Sequence, residues 1–484
     1  MTQYEVMIGL EIHVALATDS KMFCGCSTAF GDPPNENVCP VCLGLPGTLP
    51  VLNRRAVELG LTCALALNCD IHPAMRFERK NYHYPDLPKG YQISQLVEPM
   101  SEDGHFLFTD DNGEEKTVDI RRVHLEEDAG KLVHTAGEKK SRVDFNRCGV
   151  PLGEIVTEPD LKSAGDTRAF LEQLRALLRA VGVSDVRMEE GELRCDTNIN
   201  VICREGGKES ARTEITELKN LNSFRGVERA LNWEVTRHKE ALQKDCTLTH
   251  ETRHWDEDVG ITQSARAKEQ AHDYRYFPEP DLLPVNIDED RVNKLNEQMP
   301  ETPRERRTRL QEEYGLTEYD ASVLVGEEEL GEFFEDAVAQ EGDPKEVANW
   351  LMGEIQGYLN AEETSLSQLD VTPVQLVQML EMVESGEISG KIAKDLWPEM
   401  AETGRDPREL VEKMGLKQIS DEQQLEVLAE EVIEENPEAV SDYLDGNENV
   451  VGFLMGQVMK KTQGQANPQL ANETLRKALA EKKG

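Results

Sequence analysis

Basic and aromatic side chains are scarce in this sequence. Its 484 residues include 53 lysines and arginines against 93 aspartates and glutamates, so the formal net charge is −40, and only 5% are aromatic. With a mean hydropathy of −0.56, this composition approaches that of disordered chains. However, 38% of the residues are hydrophobic and fall in periodic segments, which argues against disorder. We interpret the excess of acid as a surface that stays hydrated in high salt, and we expect a halophilic source.

Segments that direct a chain to or through a membrane are missing too. No run of about eighteen apolar residues occurs, so the sequence predicts no membrane span. The opening MTQYEVMIGLEIHVAL has no basic stretch before its apolar residues, unlike a secretory signal. Ten cysteines in such a chain indicate thiols and a metal site in a reducing compartment, rather than disulfides. We therefore expect a soluble, cytoplasmic protein without a membrane partner.

The familiar nucleotide-binding signatures are absent as well. The sequence has no G-x-x-x-x-G-K-[ST] loop, no G-x-G-x-x-G and no kinase catalytic loop. A zinc deaminase would need H-x-E followed by P-C-x-x-C, with an open position on the metal for water. Here the order is Glu-x-His, and four thiolates would close the metal site. These absences exclude the common ATPases and kinases and disfavour a deaminase.

Four cysteines near the start form two closely spaced pairs. They are Cys24 and Cys26 in C-x-C, and Cys39 and Cys42 in C-x-x-C. Four thiolates at such spacing suit a closed tetrahedral zinc site. The sequence therefore predicts a structural zinc knot over residues 24–42.

A histidine and several carboxylates interrupt apolar, strand-like runs in the first 290 residues. Glu11 and His13 alternate with Ile12 and Val14, so both project from one face of a strand. In RVHLEEDAGKL, alternation places Glu126 on the same face as His124, with Glu127 on the other. Further candidates are Glu154, Asp196 and Glu217. Carboxylates with one imidazole suit Mg²⁺, which usually also binds phosphate oxygens, and this suggests ATP.

The pattern of the chain changes near residue 290. Before it, short β-like runs alternate with Gly-, Pro- and Asn-rich loops, and a few helices intervene. One helix is predicted from a cap at Asp166 to Val181, and another from about Ser223 to Leu242. Beyond PDLLPVNID the pattern is helical almost throughout, as two successive units. The sequence thus predicts an α+β protein.

Long motifs along the chain resemble one family. In order they are GLEIHVAL, SKMFCGC, VCPVCLGLPGTLPVLN, RKNYHYPDLPKGYQISQ, RVHLEEDAGK, GVSDVRMEEGELRCDTNI, ELKNLNSF and DYRYFPEPDL, followed by NWLMGEI, SGKIAKDLWPEM and GFLMGQVMKKTQGQANPQL. On these motifs the chain is identified as a member of the GatB family, the B subunit of aspartyl/glutamyl-tRNA amidotransferase. The resemblance implies a β-rich catalytic cradle domain (1–292), a helical domain (293–410) and a small YqeY-like helical tail (411–484).

The resemblance also implies an activity. The B subunit of the family binds misacylated Asp-tRNA(Asn) or Glu-tRNA(Gln) and phosphorylates the side-chain carboxylate with Mg-ATP. Ammonia that the amidase A subunit releases from glutamine then displaces phosphate, and a small C subunit is the third member of the heterotrimer. This reaction makes the complex a glutamine-hydrolysing ligase.

Site residues follow from the matching motifs. Catalysis and Mg²⁺ binding are assigned to Glu11, His13, Glu127 or its neighbour Glu126, Glu154, Asp196 and Glu217, with Glu214 as a competitor for the last position. Candidates for the phosphates or the tRNA 3′ end are Lys80, Asn81 and Lys89. The tRNA body is expected at the basic tail, through Lys460, Lys461, Arg476 and Lys477. The alternative is a non-catalytic tRNA-binding scaffold, which would tolerate loss of the carboxylates; all of them are present here.

Overall fold

A computed structural model describes residues 2–134, 140–244, 246–265, 274–415, 422–444, 450–462 and 466–482. The chain divides into two compact units, Met1–Thr302 and Pro303–Gly484. The strands, all in the first unit, are β1 (Thr2–Ala15), β2 (Asp70–Ile71), β3 (Ala74–Met75), β4 (Glu78–Asn81), β5 (Tyr91–Ser94), β6 (Ser101–Thr109), β7 (Glu115–Glu127), β8 (Lys131–His134), β9 (Ser141–Asp144), β10 (Pro151–Thr157), β11 (Leu193–Glu205), β12 (Lys208–Arg212), β13 (Thr216–Lys219), β14 (Glu251–Asp256), β15 (Ile261–Ser264), β16 (Phe277–Pro278) and β17 (Val285–Asn286). Its helices are α1 (Arg54–Ala66), α2 (Ala164–Ala180), α3 (Phe224–Gln243) and α4 (Glu289–Glu297).

A ten-stranded sheet organises the first unit. Its order is β15-β14-β13-β11-β1-β10-β7-β6-β2, with β12 paired to β11. The long strand β1 lies at the centre and pairs antiparallel with both β10 and β11. Because the side chains of a strand alternate between the two faces of a sheet, β1 places Leu10, Ile12 and Val14 on one face and Glu11 and His13 on the other. The sheet therefore has an apolar face and a polar face.

Helices α1, α2 and α3 cover the apolar face. Ile12 is fully buried there in one cluster with Ile155 of β10, Leu125 of β7 and Phe170 of α2. The prediction that Asp166 caps α2 is wrong. The cap is Ser163, whose hydroxyl accepts the amide hydrogen of Asp166, while the carboxylate of Asp166 binds Lys116 on β7. The second predicted helix is confirmed as α3, which begins after the cap Ser223.

Helix α3 packs on β13–β15 through charged residues. Glu234 and His238 have no exposed surface, and their side chains approach to 3.3 Å. Arg237 donates to Glu234 at 2.8 Å and Arg253 of β14 lies 3.3 Å from it, while Thr262 of β15 also donates to the same carboxylate. Burial opposes the charge, but the hydrogen bonds from His238, Arg237 and Thr262 outweigh it and lower the pKa of Glu234 to about 2.

This lowered pKa predicts acid sensitivity. Glu234 stabilises the fold above its unfolded pKa, and that contribution of about 3 kcal/mol disappears as the pH falls toward 2. We expect Glu234→Gln to be less stable than the wild type at pH 7 and to lose less stability between pH 5 and pH 2. Urea unfolding at several pH values measures both. Glu205, an exposed residue at the end of β11, provides the control variant Glu205→Gln, which should leave the pH profile unchanged.

The second unit is helical in its described residues. Its helices are α5 (Pro303–Tyr314), α6 (Glu318–Gly326), α7 (Glu328–Ala339), α8 (Pro344–Trp350), α9 (Gln356–Ala361), α10 (Pro373–Glu384), α11 (Gly390–Thr403), α12 (Pro407–Met414), α13 (Glu422–Glu435), α14 (Pro437–Leu444), α15 (Val450–Lys461) and α16 (Pro468–Glu481). One apolar cluster runs from Leu310 to Val411 and another from Leu425 to Leu479. The α+β class is thus confirmed, while the division at 292 and 410 stays a prediction. In the described parts of the chain, every helix is too short or too polar to cross a membrane.

Candidate functional site

The polar face of the sheet gathers most of the predicted site residues. Strand register places Glu11 opposite Asp196 of β11, and His13 opposite Glu154 of β10. One strand further from β1 on each side, Glu154 of β10 lies opposite His124 of β7, and Asn198 of β11 lies opposite Glu217 of β13. Alternation then puts all these side chains on the same face as Glu11 and His13. Five strands that are distant in sequence thus build one site.

Three side chains converge into a candidate cation site. The Nε2 atom of His13 lies 3.2 Å from Glu126 Oε1 and 3.6 Å from Glu154 Oε2. Among the described residues these three form one of two groups whose donor atoms all lie within 4.8 Å of one another. His124 approaches the same Glu154 oxygen at 3.1 Å, and its buried Nδ1 atom has no protein partner in the described chain. His124 thus orients a carboxylate that faces the site.

Charge is concentrated at this cluster. Burial disfavours a charged imidazole, but hydrogen bonds to Glu126 and Glu154 outweigh it and raise the pKa of His13 to about 10. Burial opposes the charge of Glu154 too, yet His124 and His13 hold its pKa well below the usual value. A proton on His13 thus balances two carboxylates in the absence of metal. Two carboxylates and an imidazole suit Mg²⁺ or Mn²⁺, so the cluster fits such an ion.

The other predicted carboxylates form a second group around a lysine. Lys219 Nζ lies 2.5 Å from Asp196 Oδ2 and 3.0 Å from Glu217 Oε1. Glu11 lies next to this group and accepts a hydrogen bond of 3.2 Å from Asn198. Burial and then the nearby Glu154 raise the pKa of Glu11, an effect that Lys219 opposes. Glu214 is exposed and precedes β13, so the geometry favours Glu217 over it.

Glu126 and Glu127 point to opposite sides of β7. Glu126 faces His13, whereas Glu127 forms a buried ion pair with Lys89 and accepts the amide hydrogen of Ile93 at 3.0 Å. Of the two alternatives for metal binding, this placement favours Glu126. We call residues 24–44 the cysteine loop. A Cβ at Gly44 of this loop would overlap the Lys89 side chain, so the loop passes directly over the ion pair.

Lys89 and Glu127 also line a cleft. It encloses about 590 Å³, part of it open to solvent, and Phe23, Cys42 and Tyr91 contribute to its walls. The cleft therefore lies between the cysteine loop and the end of β7. Glu127 lines it, on the other side of β7 from Glu126.

Lys89→Met should be strongly destabilising. It leaves Glu127 buried without its cation, at a cost of about 3 kcal/mol in the free energy of unfolding. The double variant Lys89→Met/Glu127→Leu should recover most of that loss, because neither charge remains. Urea unfolding of the wild type, the two single variants and the double variant measures the coupling. If Lys89→Met lowers the free energy of unfolding equally in the presence and absence of Glu127, the two residues do not form a stabilising ion pair.

The predicted phosphate residues differ in their surroundings. Lys80, on β4, is half-buried, with Nζ 5.0 Å from the centre of the Tyr274 ring. Burial opposes its charge, but Glu126 is the largest of the groups that raise the pKa of Lys80. The side-chain amide of Asn81 instead donates to backbone oxygens of Tyr274 and Arg275, at 3.1 and 2.8 Å. Asn81 therefore holds a neighbouring segment in place, whereas Lys80 faces the carboxylates of the site.

The four cysteines come together as the sequence predicts. Cys24, Cys26, Cys39 and Cys42 form the second group of possible metal ligands, and the Cys39 and Cys42 sulfurs are 3.9 Å apart. Zinc bonded to sulfur at about 2.3 Å in a tetrahedron separates neighbouring sulfurs by roughly 3.8 Å, so the four thiols fit zinc.

A buried lysine supports the cysteine loop. Lys21 has no exposed surface, and its Nζ donates to the Asn37 oxygen at 2.6 Å and the Phe145 oxygen at 3.3 Å. It also lies 3.8 Å from the Cys42 sulfur. A hydrogen bond from Cys24 and the Lys21 charge lower the pKa of Cys42, despite its burial. The hydrogen bond with Cys42 raises the pKa of Cys24, and burial raises the pKa of Cys26, so this environment favours a thiolate at Cys42.

The predicted basic residues of the tail are all exposed. Lys460 and Lys461 lie on α15, and Arg476 and Lys477 lie on α16. Lys461 binds Glu431 and Glu435 of α13 at 2.9 and 2.7 Å. Lys477 lies 3.4 Å from Glu426. A polyanion would have to compete with these carboxylates for both lysines.

Sequence reasoning assigned no role to three residues of the polar face, although it placed His124 on the same face as Glu126. His124 holds Glu154, Lys219 joins Asp196 to Glu217, and Arg194 binds Asp128 at 2.9 Å. Alternation carries a signal for each, because each lies two residues from an assigned position on its own strand: 126, 217 and 196. Basic side chains at those positions lie among the carboxylates of this face.

Comparisons with known proteins cover both units. The family model described as "GatB/GatE catalytic domain" matches residues 6–293, and one described as "GatB domain" matches residues 332–479. Proteins of Moorella thermoacetica and Carboxydothermus hydrogenoformans, both named as the B subunit of aspartyl/glutamyl-tRNA(Asn/Gln) amidotransferase, are 50% and 49% identical to this chain. These alignments cover 479 and 483 residues, 99% of this chain and 100% of each relative. A relative from Brevibacillus brevis with the same name is 47% identical over 479 residues.

Proposed function

Because this chain belongs to the GatB family of aspartyl/glutamyl-tRNA amidotransferase B subunits, we propose that it catalyses the ATP-dependent step of tRNA amidation. Its substrates are Asp-tRNA(Asn) or Glu-tRNA(Gln), and its products are Asn-tRNA or Gln-tRNA. The observation that carries this proposal is the group of His13, Glu126 and Glu154, which offers an imidazole and two carboxylates to a divalent ion on the polar face of the sheet.

The chemistry explains the need for ATP. A carboxylate resists attack by ammonia because it lacks a good leaving group, so one of its oxygens first attacks the γ-phosphorus of ATP, and ADP leaves. Ammonia then attacks the acyl carbon, phosphate leaves with that oxygen, and the amide loses a proton to solvent. Phosphoryl transfer requires mainly positioning and charge neutralisation, and bound Mg²⁺ would neutralise the phosphate oxygens.

The residues of the chain divide these tasks. The ion would be held by His13, Glu126 and Glu154, with Glu126 rather than Glu127 as the ligand from β7. Beside them lie Glu11, Asp196 and Glu217. Lys80 faces the same carboxylates and is suited to a phosphate or to the tRNA 3′ end.

Ammonia requires a protected route, because it protonates and is diluted in bulk water. The cleft lined by Lys89 and Glu127 is the proposed entry point, and it lies on the other side of β7 from Glu126. We propose that an amidase A subunit supplies this ammonia from glutamine and that a small C subunit joins both in a cytoplasmic heterotrimer. In this assignment Lys89 serves the entry of ammonia rather than the phosphates.

The helical tail is proposed to contact the tRNA body. Lys460, Lys461, Arg476 and Lys477 are exposed on two neighbouring helices, although α13 carboxylates neutralise part of their charge. Counterion release contributes less to binding in high salt, so shape and hydrogen bonds must contribute more. We therefore expect a shallow dependence of tRNA affinity on salt concentration.

Reconstitution tests the proposed function. The full chain, assembled with the amidase and small subunits of its own organism, is incubated with Glu-tRNA(Gln) or Asp-tRNA(Asn), glutamine, Mg²⁺ and ATP. We expect amidated tRNA and ADP in equal amounts, and neither without ATP. Tight tRNA binding without ATP-dependent amidation would instead favour the non-catalytic scaffold.

A further inference from the structure

The buried network on α3 takes no part in the proposed chemistry, yet it adjoins the site. His238 Nδ1 lies 2.7 Å from the Thr213 hydroxyl, and its Nε2 lies 3.1 Å from the Thr216 hydroxyl. Arg237 also donates to Thr216, at 3.0 Å. Apolar side chains of the same volume often hold a helix on a sheet as well as buried charges do. The network therefore points to a requirement for geometry in addition to its contribution to stability.

The network touches one face of the strands whose other face lines the site. Thr216 of β13 pairs with Glu251 of β14, and Arg237 Nη1 lies 3.2 Å from that glutamate, so both residues face α3. The next pair along the strands is Glu217 with Thr252. Because side chains alternate, this next pair projects to the polar face.

On the polar face, Glu217 and Thr252 contact each other and join the group formed by Lys219 and Asp196. The Thr252 hydroxyl donates to Glu217 Oε2 at 2.5 Å, while Glu217 Oε1 lies 3.0 Å from Lys219. Lys219 in turn binds Asp196, which pairs with Glu11 of the central strand. A slip of β13 by one residue would turn Glu217 toward the helix.

Strand β13 needs such support because it is short. Thr216–Lys219 spans 4 residues, of which three pair with β11 and all four pair with β14. Because so short a strand has few backbone hydrogen bonds to oppose a slip, contacts of its side chains must fix the register. Hydrogen bonds from one imidazole to Thr213 and Thr216 fix both the strand and the segment that leads into it.

We propose that His238, held by Glu234, is a positioning residue that fixes the register of β13 and so presents Glu217 and Lys219 to Asp196. The inference rests on the proposed function, because the polar face is taken as the site of phosphoryl transfer. His238 acts only through the strand and touches no substrate.

The test compares three variants in the reconstituted complex. His238→Leu removes both hydrogen bonds, whereas His238→Gln retains a side chain that donates and accepts. Val227→Ala, in the apolar part of the same buried helix face, lowers stability without removing a hydrogen bond of the network. Should His238→Leu fail to fold, Thr213→Val removes one of the two hydrogen bonds.

We expect His238→Leu to lower kcat about 10–100-fold with an unchanged KM for tRNA, as do losses of residues that orient a site through another group. Thr213→Val should lower kcat less than His238→Leu does. His238→Gln should keep most of the wild-type kcat, and Val227→Ala should keep all of it. Hydrogen exchange of residues 213–219 should accelerate in His238→Leu and stay slow in Val227→Ala.

A wild-type kcat in His238→Leu, or an equal loss in Val227→Ala, would overturn the positioning role while leaving the proposed function intact. A wild-type complex without ATP-dependent amidation would overturn the proposed function, and this inference with it. Hydrogen exchange distinguishes failure of the positioning role from failure of the proposed function, because it measures the protection of β13 without any catalytic turnover.

Discussion

His13→Ala is expected to abolish ATP-dependent amidation. The substitution removes the imidazole of the candidate cation site and leaves Glu126 and Glu154 without their shared partner. Two nearby carboxylates then repel each other, so the site loses both a ligand and its charge balance. We expect kcat to fall at least about 10³-fold, since phosphoryl transfer depends mainly on charge neutralisation. Steady-state amidation of Glu-tRNA or Asp-tRNA measures this effect.

Controls separate chemistry from folding and binding. His105 is an exposed histidine on β6, and His105→Ala should keep the wild-type rate. Affinity of His13→Ala for tRNA should be unchanged, while calorimetry should show that Mn²⁺ binding is lost. Unchanged amidation would rule out the assigned role of His13. Loss of tRNA binding with intact phosphoryl transfer would mean that His13 belongs to the tRNA-binding site and not to the site of phosphoryl transfer.

Loss of the zinc knot is expected to cost stability more than chemistry. Cys42→Ser removes one of the four sulfurs that close the site, and it deprives the buried Lys21 of its thiolate partner. Structural zinc contributes directly to folding, up to about 10–16 kcal/mol in small zinc fingers. In this larger unit we expect a loss of about 5 kcal/mol and a Tm lower by about 10 °C.

Metal analysis and calorimetry check this prediction. Bound zinc should fall from one ion per chain to none, and the protein that stays folded should retain most of its kcat. Cys246→Ser changes an exposed cysteine outside the knot and should alter neither zinc content nor Tm. Full stability without zinc, or a complete loss of activity in the folded variant, would contradict a structural role.

Local pattern predicted some of this architecture well. Alternation placed Glu11 and His13 on one face, and it also separated Glu126 from Glu127. The structure follows that alternation, with Glu126 at His13 and Glu127 at Lys89. The spacing of the four cysteines likewise predicted their convergence, because such spacing leaves the loop little freedom. These features depend on neighbours along the chain.

Features that depend on distant parts of the chain were beyond the sequence. The order of β13, β11, β1, β10 and β7 decides which carboxylates meet, and no local pattern encodes it. Lys219 shows the consequence, because its position between Asp196 and Glu217 follows from strand register. Asn81, whose motif predicts a role at the phosphates or the tRNA 3′ end, donates its side-chain amide to backbone oxygens almost two hundred residues away, a contact that no local pattern predicts.

Oxygen transfer tests the central claim most directly. Glu-tRNA(Gln) carrying ¹⁸O in both side-chain carboxylate oxygens is converted by the reconstituted complex, and the released phosphate is analysed by mass spectrometry. If the polar face of the sheet activates the carboxylate as an acyl phosphate, each phosphate contains one ¹⁸O for each amide formed. Phosphate without ¹⁸O, released while amide accumulates, would show that ATP is hydrolysed by water and would contradict the account.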